Sequence, residues 1–275
     1  MGAGLPIRTI YSGAALTLLA GCSSEPSVLS PAGQEAEAIY ILFRMMTIGA
    51  TVIWIGVVAL MIYSFRASRR AHPRQASQGL ILWGGAVFPA VTLLLLLSYA
   101  LWLMPSLRPW TKAEGNGLRI EVTGEQYWWR IRYQDDQGRL LFETANELLV
   151  PLNEATTFSL RARDVIHSFW IPALGGKMDM IPGRENRLTL TPTRPGIYRG
   201  PCAEFCGTSH ALMIVTVKVV ARREFDVWLA ARRERPTLSD SGGARLFVRH
   251  GCPACHAVDG MSLARGAIGP NLTAF

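Results

Sequence analysis

With 275 residues, 49% of them hydrophobic, the chain holds one compact domain plus apolar segments that a soluble domain would not need. A formal net charge of +8 would suit nucleic acid, but four of the positive residues fall in one short loop and the other arginines are scattered, which excludes a nucleic-acid partner. The five cysteines form three groups, Cys22, Cys202 with Cys206, and Cys252 with Cys255, and each group needs its own explanation.

At the N-terminus, Arg8, an apolar run from Ile10 to Ala20 and the sequence Leu19-Ala20-Gly21-Cys22 read as a lipoprotein-type signal peptide over residues 1–21. Cleavage there makes Cys22 a lipidated first residue outside the cytoplasm. An uncleaved first helix with an incidental cysteine is the plainer alternative. Residues 22–112 form a membrane anchor whose apolar stretches, Met45 to Tyr63 and Leu80 to Met104, each suit a span of roughly 20 residues. The expected helices cover about 39–64 and 80–104, and Pro89 is expected to kink the second. Arg66, Arg69, Arg70 and Arg74 lie between them without an acidic residue, and positive charge in short loops marks the cytoplasmic side. The chain therefore reads as a multi-pass protein of the bacterial inner membrane, with everything beyond the hairpin facing the periplasm.

From 113 to 221 the pattern changes to short alternating segments: Leu118 to Val122, Tyr127 to Tyr133, Thr156 to Arg161, Asn186 to Thr191 and Leu212 to Val220. Turn residues at Asp136 to Gly138, Pro182-Gly183 and Pro195-Gly196 separate them, which predicts an all-β antiparallel sandwich or Greek-key barrel. Arg222 to Arg233 places Phe225, Trp228 and Leu229 at helical spacing, so 222–241 reads as a closing amphipathic helix and a linker.

The chemistry concentrates in the run from Cys202 to Met213, which holds two thiols, the imidazole of His210 and a thioether. Thiolate, imidazole and a weak thioether are soft donors that suit copper, and a loop between two strands can turn them all inward. A second imidazole for a second ion is available from His167 in Val165-Ile166-His167-Ser168-Phe169-Trp170. A disulfide, a mononuclear blue-copper site and a zinc site are the competing readings; zinc is disfavoured by the methionine and the second histidine, and blue-copper sites use one cysteine.

These residues resemble the cytochrome c oxidase subunit II family, whose pattern is His-Ser-Phe/Trp followed by Cys-x-Glu-x-Cys-x-x-x-His-x-x-Met. The Lys177 to Arg184 and Gly124 to Trp129 runs are similar to segments of that family as well. The resemblance implies a cupredoxin-like domain holding a dinuclear copper (CuA) centre. In it Cys202 and Cys206 bridge two copper ions, His167 and His210 bind one each, and Met213 and the Glu204 carbonyl are weak axial ligands. It also implies a magnesium ion held by the Glu204 side chain at the interface with the large subunit, where hard carboxylate oxygen suits that ion.

The family places an aromatic residue, usually Trp, where an electron arrives from cytochrome c; aligned on Gln126, that position is Tyr127 here, with Trp128 next to it. Blandly read, Tyr127-Trp128-Trp129 is strand and core material, Trp129 above all. Arg130 and Arg132 stand where acidic residues would help hold a basic soluble cytochrome, so a basic face is expected. A second departure is that no Asp or Glu lies between Gln75 and Leu103, where many relatives carry a carboxylate for proton uptake.

Residues 242–275 contain Gly251-Cys252-Pro253-Ala254-Cys255-His256, the attachment pattern of a c-type haem, with Cys252 and Cys255 as thioether positions and His256 facing the iron. Gly269-Pro270-Asn271-Leu272 resembles the run that follows in class I cytochromes c. A short helical haem segment is expected, either a piece of a longer cytochrome domain or a vestige of one, since no distal methionine follows before Phe275 and Met261 is too near His256. A thioredoxin-like redox motif is the alternative, without the surrounding βαβ pattern it would need.

Taken together, the resemblance implies a subunit that accepts electrons from soluble or tethered cytochrome c. It passes them to the haem of subunit I of a haem-copper oxidase, supporting oxygen reduction coupled to proton translocation in a complex with other oxidase subunits. A CuA subunit of a nitric oxide reductase and a copper-free scaffold subunit of a quinol oxidase are the alternatives.

Overall fold

The computed structural model describes residues 26–66, 74–107, 119–135, 137–234 and 242–273. The signal peptide with Cys22, together with Arg69, Arg70, Asp136 and the 235–241 part of the linker, lies outside the described residues. The chain divides into two compact units, Ile41–Thr111 and the remainder.

The first unit is helical. Helix α1 (Gln34–Arg66) has 33 residues and no buried side chain in its apolar window, and a second apolar stretch of 29 residues covers Ser77–Pro105. Both exceed the roughly 20 residues that cross a hydrocarbon core, so by length and composition each could span a membrane. The second stretch is not one regular helix. Helix α2 (Arg74–Leu82) passes through a π-turn (Trp83–Val87) into α3 (Phe88–Leu107). Pro89 has no N–H for the carbonyl four residues back, and its ring crowds that carbonyl. The ladder widens just ahead of it, with the Phe88 N–H donating to the Trp83 carbonyl. Where the sequence predicts a kink at Pro89, the structure has this π-turn just ahead of it.

Among the described residues the second unit has ten strands: β1 (Arg119–Glu125), β2 (Trp128–Gln134), β3 (Leu140–Ala145), β4 (Glu147–Pro151), β5 (Thr156–Ala162), β6 (His167–Phe169), β7 (Met178–Met180), β8 (Asn186–Leu190), β9 (Gly196–Pro201) and β10 (Ile214–Val220). A five-stranded sheet has the order β3-β2-β1-β5-β8, a three-stranded sheet β4-β10-β9, and β6 pairs with β7. The architecture is cupredoxin-like. One expectation is corrected: β1 pairs with β5, and β4 with β10, in parallel. The alternating sequences specify which faces are buried, whereas strand direction follows from where the chain crosses between sheets.

Alternation decides the core. Ile120 and Val122 of β1, Trp129, Ile131 and Tyr133 of β2, and Val215, Val217 and Val219 of β10 all point inward. The Tyr133 hydroxyl donates to the Leu149 carbonyl at 3.0 Å and accepts the Leu149 N–H at 2.8 Å, tying the two large sheets together through the core. Helix α4 (Arg222–Arg233) closes one end as the amphipathic spacing predicts. Its Trp228 meets the rings of Tyr133 and Phe142 edge-on at 5.2 and 5.3 Å, and Phe225 is buried. Residues up to Tyr40, the first turns of α1 among them, also belong to this unit. Ala32 donates its N–H to the Ala173 carbonyl, and the Glu35 carboxylate accepts from the Thr191 N–H at 2.9 Å. Helix α5 (Gly242–Arg249) and a 3-10 turn (Cys252–Ala254) carry the C-terminal motif.

Candidate metal centre

The loop that leaves β9 at Pro201 and rejoins β10 at Ile214 begins and ends on paired residues, so it is an excursion from one end of a hairpin. Its base is closed by the Cys202 N–H donating to the Met213 carbonyl at 2.9 Å. A second bond, from the Ala203 N–H to the Ser168 carbonyl at 3.0 Å, fastens it to β6, the short strand that presents His167. From the other side the Gln126 side-chain amide donates to the Cys206 carbonyl at 2.6 Å. Two glycines make the approach possible: a Cβ on Gly124 would stand 2.8 Å from the His167 ring, and one on Gly207, whose φ is +130°, 2.6 Å from the Tyr127 hydroxyl.

The result gathers the soft donors. One ligand atom each from His167, Cys202 and Cys206 lies within 4.8 Å of the others, and all three residues are buried. The Cys202 sulfur is 3.9 Å from His167 Nδ1 and 3.3 Å from the Glu204 carbonyl oxygen. The Cys206 sulfur is 3.5 Å from His210 Nδ1 and 3.9 Å from the Met213 thioether. Each thiol therefore stands beside one imidazole and one weaker donor. Cys202 and Cys206 are free thiols, against the disulfide alternative.

Electrostatics separates the two sulfurs. Burial alone would raise both thiols, but beside His167 and the Glu204 and Ser168 backbone the Cys202 thiol is lowered to about 6. Burial and the facing Cys202 push Cys206 up to about 11. For His167, burial would favour the neutral ring, and contacts with Cys202 and Asp164 outweigh it and raise its pKa.

Asp164 is the member that reading the sequence did not find. Its Oδ1 stands 2.8 Å from His167 Nε2 and accepts the Val165 N–H at 2.7 Å, while Oδ2 accepts the Gln126 N–H at 2.7 Å. Burial would raise this carboxyl, but these hydrogen bonds hold it below the ordinary range. The only trace in the sequence is an Asp three residues before a His.

The other expected residues are placed as follows. Tyr127 sits against the ligand loop, its hydroxyl 3.2 Å from Thr208 Oγ1, whereas Trp128 lies on the outer face beneath the Arg130 guanidinium, 4.6 Å from its ring centre. Trp129 is core, edge-on to Phe169 and His167 at 5.7 and 6.1 Å. The Glu204 carboxylate is half exposed and faces Lys177 Nζ at 3.7 Å, a cation that Asp179 also holds at 2.9 Å. In the tail, His256 Nδ1 donates to the Pro270 carbonyl at 2.8 Å, which puts the ring's lone pair on Nε2, and Cys252 and Cys255 are free thiols. A Cβ on Gly269 would stand 2.5 Å from the His256 ring, so the Gly-Pro run and the C-x-x-C-H turn fit one another closely. The expected basic face is corrected. Arg130 is buried between Glu125 and Glu143, and Arg132 pairs with Glu143 and Glu121, because a guanidinium on this face is held by carboxylates of neighbouring strands.

Comparison with known proteins bears on this arrangement. Residues 134–220 match the family model for the periplasmic domain of cytochrome c oxidase subunit II. The chain is similar to cytochrome c oxidase subunit 2 of Alkalihalophilus pseudofirmus, 34% identical over 269 residues that cover 91% of this chain and 77% of that one. It is equally similar to the Bacillus subtilis protein of the same name, 34% identical over 289 residues covering 94% and 79%. Among solved structures, the periplasmic domain of subunit II of the cytochrome oxidase of Bradyrhizobium japonicum is 35% identical, with a TM-score of 0.38, over 41% of this chain and 91% of that one.

Proposed function

This chain belongs to the cytochrome c oxidase subunit II family, whose members are subunits of haem-copper oxidases, and we propose that it accepts electrons from cytochrome c at a dinuclear copper centre and delivers them to the haem of subunit I. Oxygen reduction and the proton translocation coupled to it belong to the partner subunit. The observation that carries the reading is the cluster itself: two buried thiols, a buried imidazole, and His210 and Met213 beside the second thiol.

In this reading Cys202, Cys206, His167, His210, Met213 and the Glu204 carbonyl would together hold two copper ions. Copper bound there would supply a one-electron relay. The protein's part is to hold the donors in place. The hairpin base at Cys202 and Met213 and the Ala203 to Ser168 bond hold the loop, and Asp164 keeps the proton on His167 Nε2 so that Nδ1 is left for metal. Burial keeps water from the sulfurs.

Further assignments follow from the same reading. The Glu204 carboxylate is a magnesium ligand completed by subunit I, and Tyr127 with Trp128 form the corner where the electron arrives. Cys252, Cys255 and His256 attach a haem c that acts as a tethered donor, its fit supported by the Pro270 carbonyl on His256 Nδ1. Cys22 is the lipidated residue. The arginines between the spans support a periplasmic position for the β domain.

The copper assignment is tested by electron paramagnetic resonance on the copper-loaded protein. One unpaired electron shared by two equivalent copper nuclei gives seven hyperfine lines, and a single copper gives four. Cys202→Ser and Cys206→Ser should each abolish the seven-line spectrum, and its survival in either variant refutes the assignment of both thiols as ligands.

A further inference from the structure

The outer face of β1, β2 and β3 carries a charge network that the metal centre does not use. Arg130 is 6% exposed, between Glu125 and Glu143 at 6% and 7%. Its Nε donates to Glu125 Oε1 at 2.6 Å and its Nη1 to Glu143 Oε1 at 2.7 Å. Arg132 joins Glu143 and Glu121 at 3.0 and 3.1 Å, and Arg163 joins Glu125 at 3.1 Å. Three guanidinium groups thus face three carboxylates. Pairing alone does not account for burial, because the outer face of such a sheet is ordinarily wet.

The cover is the C-terminal segment. Arg130 Nη2 donates to the carbonyl oxygens of Ala267 at 3.0 Å and Gly269 at 3.4 Å, and Arg163 Nη1 also reaches Ala267 O at 3.2 Å. In return, the Asn271 N–H donates to Glu143 Oε1 at 3.0 Å. A buried guanidinium with unused N–H groups is costly, and the tail's carbonyls satisfy what the carboxylates leave. The same tail residues flank Pro270, whose carbonyl holds His256, and the Gly269 N–H donates to the Cys255 carbonyl at 2.8 Å.

We propose that the Glu125, Arg130 and Glu143 network is a docking seat for the C-x-x-C-H segment of the same chain, and that Arg130 is a positioning residue acting on His256 through Ala267, Gly269 and Pro270. Docking on this seat is unimolecular, so its occupancy is governed by the tether rather than by the concentration of any outside donor. An external partner reaches this face only by displacing the tail. The seat deepens the reading of the tail as a tethered donor and rests on it for its purpose, while the contacts themselves involve neither haem nor copper.

Amide hydrogen exchange on the full chain in detergent, compared among wild type, Arg130→Met and Arg163→Ala, tests the seat. In wild type the amides of Gly269, Asn271 and Leu272 should be protected. In Arg130→Met they should exchange about tenfold faster or more while β1 and β2 amides stay unchanged. Should the buried carboxylates left by Arg130→Met loosen the sheet as well, Arg163→Ala decides, because its side chain is 54% exposed and its loss spares the core. A smaller acceleration confined to the tail supports the seat. Unchanged tail protection in Arg163→Ala together with unchanged protection, or loss throughout the sheet, in Arg130→Met overturns it, as does an unprotected tail in wild type. Absence of a dinuclear copper signal would count against the metal reading and leave this result standing.

Discussion

Asp164 Oδ1 lies 2.8 Å from Nε2 of His167, and the opposite ring nitrogen, Nδ1, faces the Cys202 sulfur at 3.9 Å. One imidazole thus has its two nitrogens assigned to different tasks. Carboxylates placed behind a ligating histidine set its tautomer and raise its basicity, and losing one costs about 10- to 100-fold in metal affinity. Asp164→Asn keeps the shape but removes the charge and leaves one carbonyl oxygen, so only one of the Gln126 and Val165 N–H groups, which use different oxygens of the carboxylate, keeps its acceptor. We expect weaker copper binding by about tenfold in competition titrations, at the low end of that range, with the seven-line pattern retained at saturation. Unchanged affinity would show that Asp164 only shapes the loop.

The two ends of Glu204 face different neighbours, its carbonyl the Cys202 sulfur and its carboxylate Lys177. Glu204→Gln should leave the copper spectrum nearly unaltered and weaken manganese bound in place of magnesium in the assembled complex. An unaltered manganese signal would mean that the carboxylate serves Lys177 alone.

Tyr133 supplies a pH test of the fold. Burial raises its hydroxyl well above the ordinary value of about 10, against smaller opposing effects of the Leu149 backbone and Arg232. A raised folded-state value means that stability from the neutral phenol is fully present below about pH 10 and is lost as pH climbs above it. Tyr133→Phe leaves both polar groups of Leu149 without this partner and should cost about 1–3 kcal/mol at pH 7 by denaturant titration. The gap between variant and wild type should narrow above pH 10, and a gap independent of pH would contradict this role.

Electrostatic steering distinguishes the donors. Because Arg130, Arg132 and Arg163 are matched by Glu121, Glu125 and Glu143, this face presents no acidic field to attract a basic soluble cytochrome c. Association measured by stopped flow should be slow and only weakly accelerated by lowering ionic strength. A steep rise toward low salt would reveal an acidic docking patch elsewhere and weaken the tethered-donor reading.

The sequence by itself determined two apolar helices of membrane-spanning length, the β domain and the cluster of soft side chains between Cys202 and Met213. Apolar runs of spanning length, period-two alternation and the Cys202 to Met213 spacing are local signals that need no knowledge of what packs where. Even the pairing of His167 with that loop was legible, through a resemblance that joins segments far apart in the chain. Only the tertiary structure decided strand direction, the place of Asp164 and the fate of Arg130. An aspartate three residues from a histidine is common, and its role exists only because β6 and the Gln126 turn bring it behind the ring. Arg130 read as surface charge because a strand's outward positions are normally wet. Its burial is made by carbonyls more than a hundred residues away, and backbone groups leave no mark in a sequence, since every residue carries the same ones.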